Sequence, residues 1–240
     1  MADQRFLSLA TDPNLVPGIY NGCDQWCHYC PATDRCLAYK CRPATDGSGS
    51  VYEDLEEKML QSMRYLKACH EAEGLQPPED LLRLLNGDSP LRAPYLPIDD
   101  PLERLGKHYA ILATAFLASA SEPLPSLPLP KRPHGPTPFE VFLFYHLQIA
   151  IKTYRAISSA HEAARTGSAQ ARWDADVSAK VALLGIDRSD EALQVMTLDG
   201  PDPRIDDMRR QLVRLRREIE RRFPSARALV RPGLDEPESR

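Results

Sequence analysis

No apolar run in the 240-residue chain approaches the roughly 18 residues of a membrane span, so no membrane insertion is expected. The start, Met-Ala-Asp-Gln-Arg-Phe-Leu-Ser-Leu-Ala-Thr-Asp-Pro, lacks the apolar core of a secretion signal, which makes a cytoplasmic protein the expectation. Basic excess is missing too. With 30 Lys and Arg against 34 Asp and Glu, the net charge is -4, which argues against a general nucleic-acid binder and confines any such role to a local patch. No strand alternation stands out, and there is no internal repeat. Serine-nucleophile elbows, phosphate loops and dinucleotide fingerprints are absent. No Glu-x-x-His pair occurs, which removes the ligand set of a ferritin-type dimetal bundle.

Cysteine is scarce overall and concentrated where it occurs. Of six cysteines, five fall within nineteen residues: Cys23, Cys27, Cys30, Cys36 and Cys41. In a reducing compartment such spacing favours metal ligands or redox thiols over disulfide staples. Soft thiolates suit tetrahedral zinc and the corners of an iron-sulfur cube alike. Structural zinc sites usually present two ligand pairs on two separate turns. Here the ligands run consecutively with gaps of three, two and five residues, a pattern that wraps a bulkier cluster. The expectation is therefore a [4Fe-4S] cluster on Cys23, Cys27, Cys30 and Cys36, with zinc as the alternative. Cys41 is a spare that could replace Cys23, and His28 is a further candidate ligand. Trp26, Tyr29 and Leu37 are placed to shield the site from water.

Cys27-x2-Cys30-Pro-x4-Cys36 resembles the last three ligands of the four-iron cluster loop in helix-hairpin-helix DNA glycosylases, including the proline after the middle cysteine in adenine-specific members. In that family the first gap is six residues, whereas three residues separate Cys23 from Cys27. No glycine-rich hairpin followed by a catalytic aspartate is found, so the resemblance implies a cluster loop and not glycosylase activity. More weakly, Cys23-x3-Cys27-x-Tyr29-Cys30 is similar to the radical S-adenosylmethionine signature. That family carries its three cysteines after the first strand of a partial α/β barrel, and this chain shows no such strands.

The rest of the chain reads as helix. Residues 1–50 form a lead-in and the cysteine metal-binding knuckle, 51–230 a helical bundle, and 231–240 a flexible tail. A first long helix is expected over 51–73, with Ser50 as cap and Cys69 on its apolar face, and a short one over 79–85. Asp100-Pro101 caps a helix over 101–120 with the stripe Leu102, Leu105, Tyr109, Leu112 and Phe116. Residues 121–138 are a proline-rich crossover, with seven prolines in the sixteen residues from 123 to 138.

Thr137-Pro138-Phe139-Glu140 has the form of a capping box opening a helix over 138–165. On that helix Phe139, Phe142, Leu143, Ile149, Ala150, Thr153 and Ile157 surround His146, Phe144, Leu147, Ile151 and Tyr154 cover an adjoining sector, and only a narrow stripe of Gln148, Lys152 and Arg155 is polar. A helix over 169–196 presents Trp173, Val177, Val181, Leu184, Ala192 and Val195. A last helix over 203–223 repeats Ile205, Met208, Leu212, Leu215, Ile219 and Phe223. The fold class expected is all-α: an up-and-down bundle of about five long helices with an N-terminal cysteine-rich knuckle.

Two polar residues sit on these apolar faces, His146 and Arg188. They are the candidates for a pocket inside the bundle. Arg188 needs a buried partner, for which Asp174 or Glu140 could serve. Three functions compete. The first is a metal protein with a structural or electron-transfer cluster, meeting a protein partner through its helical surface or proline-rich segment. The second is a cluster-dependent redox enzyme with a pocket at His146 and Arg188. The third is a nucleic-acid binder using the knuckle and the arginine-rich last helix. No catalytic residue is identifiable from the sequence.

Overall fold

The computed structural model describes residues 12–16, 18–40, 100–119 and 134–235, with scattered positions between 63 and 86. The expected helices over 51–73 and 79–85, Cys41, Cys69 and the proline-rich residues 121–133 lie outside or largely outside that set. Two compact units divide the chain: Met1–Pro17 with Asp34–Pro97, and Gly18–Thr33 with Ile98–Arg240. The sequence reading divides the chain at residue 50 instead. The difference arises because the segment from Gly18 to Thr33 belongs with helices more than a hundred residues downstream.

In the first unit, Asp12 nucleates a turn by accepting the Asn14 backbone N–H at 2.9 Å. The Val16 N–H then donates to the Arg35 carbonyl at 3.0 Å. A single α-turn, Leu37–Lys40, follows, and Lys40 approaches Asp12 at 3.9 Å.

The second unit is an all-α bundle, and among the described residues there is no strand. Its four long helices are α1 (Pro101–Ala118), α2 (Pro138–Thr166), α3 (Ala169–Met196) and α4 (Pro203–Arg222). Each begins where a side-chain oxygen takes an otherwise orphaned backbone N–H. Asp100 caps α1, Thr137 and Glu140 form a complete capping box on α2, Ser168 caps α3 and Asp202 caps α4. Helix α2 ends at Gly167, whose φ of 72° is the left-handed conformation that glycine adopts without strain.

Contacts fix the topology. Phe116 of α1 meets Phe142 of α2, while Gly106 lies against Ala150 and Thr153. Arg155 of α2 binds Asp174 of α3, while Tyr145 lies against Gly185. Asp190 of α3 pairs with Arg209 of α4, and Asp187 with Arg216. Arg204 at the start of α4 reaches Ser119, and Arg222 at its end reaches Asp100. Every neighbouring pair therefore runs antiparallel, giving the expected up-and-down order.

The buried side of α4 is Ile205, Met208, Leu212, Leu215 and Ile219, as its periodicity predicts. Two faces differ from expectation. On α2, Phe142, Leu143, Ile149, Thr153 and Ile157 are buried as expected, but in the adjoining sector Leu147 and Ile151 are exposed, whereas Tyr145 and Lys152 are buried. On α3, Val177, Val181 and Ala192 are buried as expected, but Val195 is exposed, Trp173 and Leu184 are only partly buried, and small residues, among them Ser178, Ala182, Gly185 and Ser189, fill the rest of the core face. A Cβ on Gly185 would stand 3.0 Å from the Tyr145 ring and 3.1 Å from Ile149, so the missing side chain lets α3 approach α2.

Residues 231–235, expected as part of a loose tail, form a hydrogen-bonded turn. Asp235 accepts from the Arg231 guanidinium at 2.7 Å and pairs with Lys180 of α3 at 3.1 Å.

Three carboxylates tie these elements, and their titration gives a prediction. Burial pushes Asp100, Asp174 and Asp235 up. Hydrogen bonds from Arg222, from Arg155 and Ser159, and from Arg231 and Lys180 respectively outweigh it, holding all three below the usual carboxylate range. A depressed folded-state pKa contributes stability that is complete above the unfolded value of about 3.9 and is lost as pH falls through the folded value. Stability to urea should therefore decline below about pH 4, and less steeply in Asp174→Asn. Equal slopes for variant and wild type would contradict this assignment.

Candidate functional site

The cysteine segment from Cys23 to Cys30 lies on the bundle, and its backbone is held by side chains of α2. Gly22 passes against α3, where a Cβ would stand 3.0 Å from Val177, and its carbonyl accepts from Arg231 at 3.2 Å. Lys152 Nζ donates to the Cys23 carbonyl at 3.2 Å, and Gln148 Nε2 to the Asp24 carbonyl at 2.7 Å. The polar stripe of Gln148 and Lys152 is thus the edge of α2 on which this segment is docked. Lys152 is only 5% exposed, and burial pulls its ammonium below the usual lysine range.

Asp24 is the pivot. Its Oδ1 accepts the Trp26 backbone N–H at 3.1 Å, which turns the chain tightly. Its Oδ2 accepts from the Tyr145 hydroxyl at 2.5 Å and from Arg188 Nη1 at 2.8 Å, and Arg188 Nη1 also contacts the Tyr145 hydroxyl. Burial, reinforced by the Asp24 charge, pushes the Tyr145 phenol up, so it stays protonated and donates. Between these anchors Gln25 adopts a left-handed φ of 64°, a strained conformation that the surrounding hydrogen bonds enforce.

Trp26 follows, buried against α2. Its ring stacks on Phe144 with centroids 4.3 Å apart and 11° between planes, and meets Tyr145 and Tyr29 edge-on. The short 3₁₀ turn Cys27–Tyr29 then leads to Cys30, whose N–H donates to the Cys27 carbonyl at 3.3 Å.

Beside this segment lies a cavity of about 560 Å³. Cys23, Asp24, Trp26 and Cys30 form one wall; Arg188, Glu191 and Val195 of α3 form another, completed by Pro138, Val141, Arg231 and Leu234. A volume of this order suits a small molecule.

The residues expected as a site divide as follows. Cys23 and Cys30 share the cavity wall, and Arg188 faces it from α3. The partner of Arg188 is Asp24, not Asp174 or Glu140. Asp174 is taken by Arg155 and Ser159, and Glu140 by the capping box. Arg188 is also half-exposed at the edge of α3, not central to its buried face. His146 does not line the cavity. Its Nδ1 donates to the Leu143 carbonyl at 2.6 Å, and burial lowers its pKa, so it is a neutral helix residue. Cys36 is buried and belongs to the other unit, as does Leu37.

None of Cys23, Cys27, Cys30 and Cys36 is in a disulfide. Burial pushes the Cys23 thiol up, with the Asp24 carboxylate and Cys27 adding to the effect against a backbone hydrogen bond from Gln25. By donor type, this set of soft sulfur ligands fits a cluster or zinc. Among the described residues, however, no three His, Cys, Asp or Glu side chains converge on one point.

No family model, curated protein or solved structure matches the chain.

Asp24, Tyr145 and Arg231 are not among the residues expected from the sequence, and Lys152 is expected only as part of a polar stripe. For Lys152 a signal existed: Tyr145, Gln148 and Lys152 recur at helical spacing along one edge. For Asp24 there was none, because its partners lie 121 and 164 residues away.

Replacing Asp24 by alanine leaves the buried Tyr145 hydroxyl and Arg188 without their shared acceptor. Arg188 is 49% exposed, so its ion pair is largely screened and most of the loss comes from the hydrogen bonds. We expect about 1–2 kcal/mol of lost stability by urea titration, and less for Asp24→Asn. An unchanged midpoint for Asp24→Ala would contradict the pivot role.

Proposed function

We propose that the protein carries a thiolate-ligated metal centre, a [4Fe-4S] cluster in preference to zinc, with Cys23, Cys27 and Cys30 as ligands and, on the sequence spacing, Cys36 as the fourth. Its role in this reading is structural or electron-transferring. The supporting observation is that Cys23 and Cys30 line one cavity, on a segment that Asp24, Gln148, Lys152 and Trp26 fasten to the bundle. A bound centre would draw the thiols together, which is coherent with metal binding that organises its own ligands. The buried Trp26 and the half-buried Tyr29 supply the apolar surround that tunes such a centre.

The test is elemental analysis of anaerobically purified protein. Iron with a matching amount of acid-labile sulfide supports the cluster, and zinc alone supports the alternative. Absence of both metals would overturn the proposal. Cys41→Ser should leave the metal content unchanged, while Cys36→Ser should remove it.

A second reading is a cluster-dependent redox enzyme, favoured by the position of Cys23, Cys30 and Arg188 around one cavity. The nucleic-acid reading has no comparable observation behind it. On α4, Arg209, Arg210, Arg216, Arg221 and Arg222 are each engaged by a carboxylate.

A further inference from the structure

The cavity has polar features that the cysteines do not explain. Arg188 and Glu191 stand three residues apart on α3, close enough for a helical ion pair. No such pair forms. The guanidinium turns instead to Asp24 and Tyr145, and both of those contacts use Nη1. Nε and Nη2 of Arg188 have no acceptor among the described residues, on a side chain that is 49% exposed at the cavity. That leaves the guanidinium edge suited to a two-point contact with a carboxylate. Glu191, on the same wall, is exposed and has neither ion pair nor hydrogen bond among the described residues.

The other charges at the cavity are consumed. Arg231 spends Nη1 on the Gly22 carbonyl and its other nitrogens on Asp235. Asp24 uses both oxygens within the protein. What remains is one cationic edge and one carboxylate a helical turn apart, facing an apolar wall of Trp26, Val141, Val195 and Leu234.

We infer that this cavity binds a small zwitterion with an apolar body, of the α-amino-acid class. Its carboxylate meets Arg188, its ammonium meets Glu191, and its side chain lies against Trp26 and Val141. A simple carboxylic acid would leave Glu191 unpaired and close to like charge. A simple amine would leave the Arg188 edge empty. The zwitterion satisfies both without changing the net charge of the cavity. The inference concerns α3 and the cavity wall, and it stands whether or not the cysteines hold a metal.

The test is calorimetric titration of the 240-residue chain with L-phenylalanine, 3-phenylpropionate and phenethylamine, which share the apolar body and differ in charge. L-Phenylalanine should bind at least about tenfold more tightly than either analogue, the effect of one lost charged hydrogen-bond contact. Glu191→Gln, at an exposed site with no polar contact among the described residues, should weaken L-phenylalanine binding and, by removing the like charge, bind 3-phenylpropionate no less tightly than the wild type does, so that the preference for the zwitterion over the acid is lost. Arg188→Lys keeps the charge beside Asp24 but not the two-point edge, and should weaken both carboxylates while sparing phenethylamine. Undetectable binding of L-phenylalanine, equal affinity for the three probes, or wild-type behaviour of Glu191→Gln would overturn the inference. Metal content measured on the same samples separates the two proposals: binding without metal sinks only the metal centre, and metal without binding sinks only the zwitterion site.

Discussion

Trp26→Ala should cost about 3–5 kcal/mol of stability, the range for truncating a large buried aromatic. Trp26 is 6% exposed and supplies the main apolar contact of the cysteine segment with α2. Its loss removes the stacked contact with Phe144 and the edge contacts with Tyr145 and Tyr29 together. The rigid backbone on either side, held by Asp24 and by the turn Cys27–Tyr29, limits how far the gap can close. Trp26→Phe keeps the stacking partner and part of the volume, so it should recover roughly half of the loss. The measurement is urea unfolding followed by far-ultraviolet dichroism. A shift below about 1 kcal/mol for Trp26→Ala would mean that the segment is held by its hydrogen bonds and not by this anchor.

Under the proposed metal centre, Cys27→Ser should lower metal occupancy at least about tenfold, since a serine hydroxyl is a poor donor to a soft metal and the binding energy of such a centre depends on each thiolate. The helical content should not change. Cys27 sits in a three-residue turn outside the four helices, and the core of α1 to α4 does not include it. That pairing of outcomes is diagnostic. Loss of metal with the helices intact marks Cys27 as a ligand. Loss of helicity together with metal would make it a packing residue, and unchanged metal would remove it from the centre.

The parts of the fold that could be read in advance are those decided by neighbouring residues. Asp100, Thr137 with Glu140, Ser168 and Asp202 announce their helices because capping is a contact across two or three residues. The face of α4 could be read because large apolar residues occupy it and charge fills the rest. The face of α3 could be read only in part: Val177, Val181 and Ala192 are buried as their spacing predicts, but Gly185, Ser178 and Ser189 are small core positions that a hydropathy pattern does not register. Leu147 and Ile151 misled for the opposite reason: they are apolar yet lie outside the described contacts of the core.

The candidate site was half visible. Its cysteines are a local pattern, visible in the sequence by their spacing. Asp24, Tyr145 and Arg188 meet only once the bundle brings residues from three distant segments together. Nothing in the sequence around Asp24 distinguishes it from any other acidic residue in a turn.

The most direct test of the proposed metal centre is the absorption spectrum of the 240-residue chain purified without oxygen. A [4Fe-4S] centre should give a brown solution with a broad band at about 400 nm that fades on reduction with dithionite. A colourless protein whose spectrum shows only aromatic absorption would contradict the cluster, and with zinc also absent it would contradict the metal centre altogether.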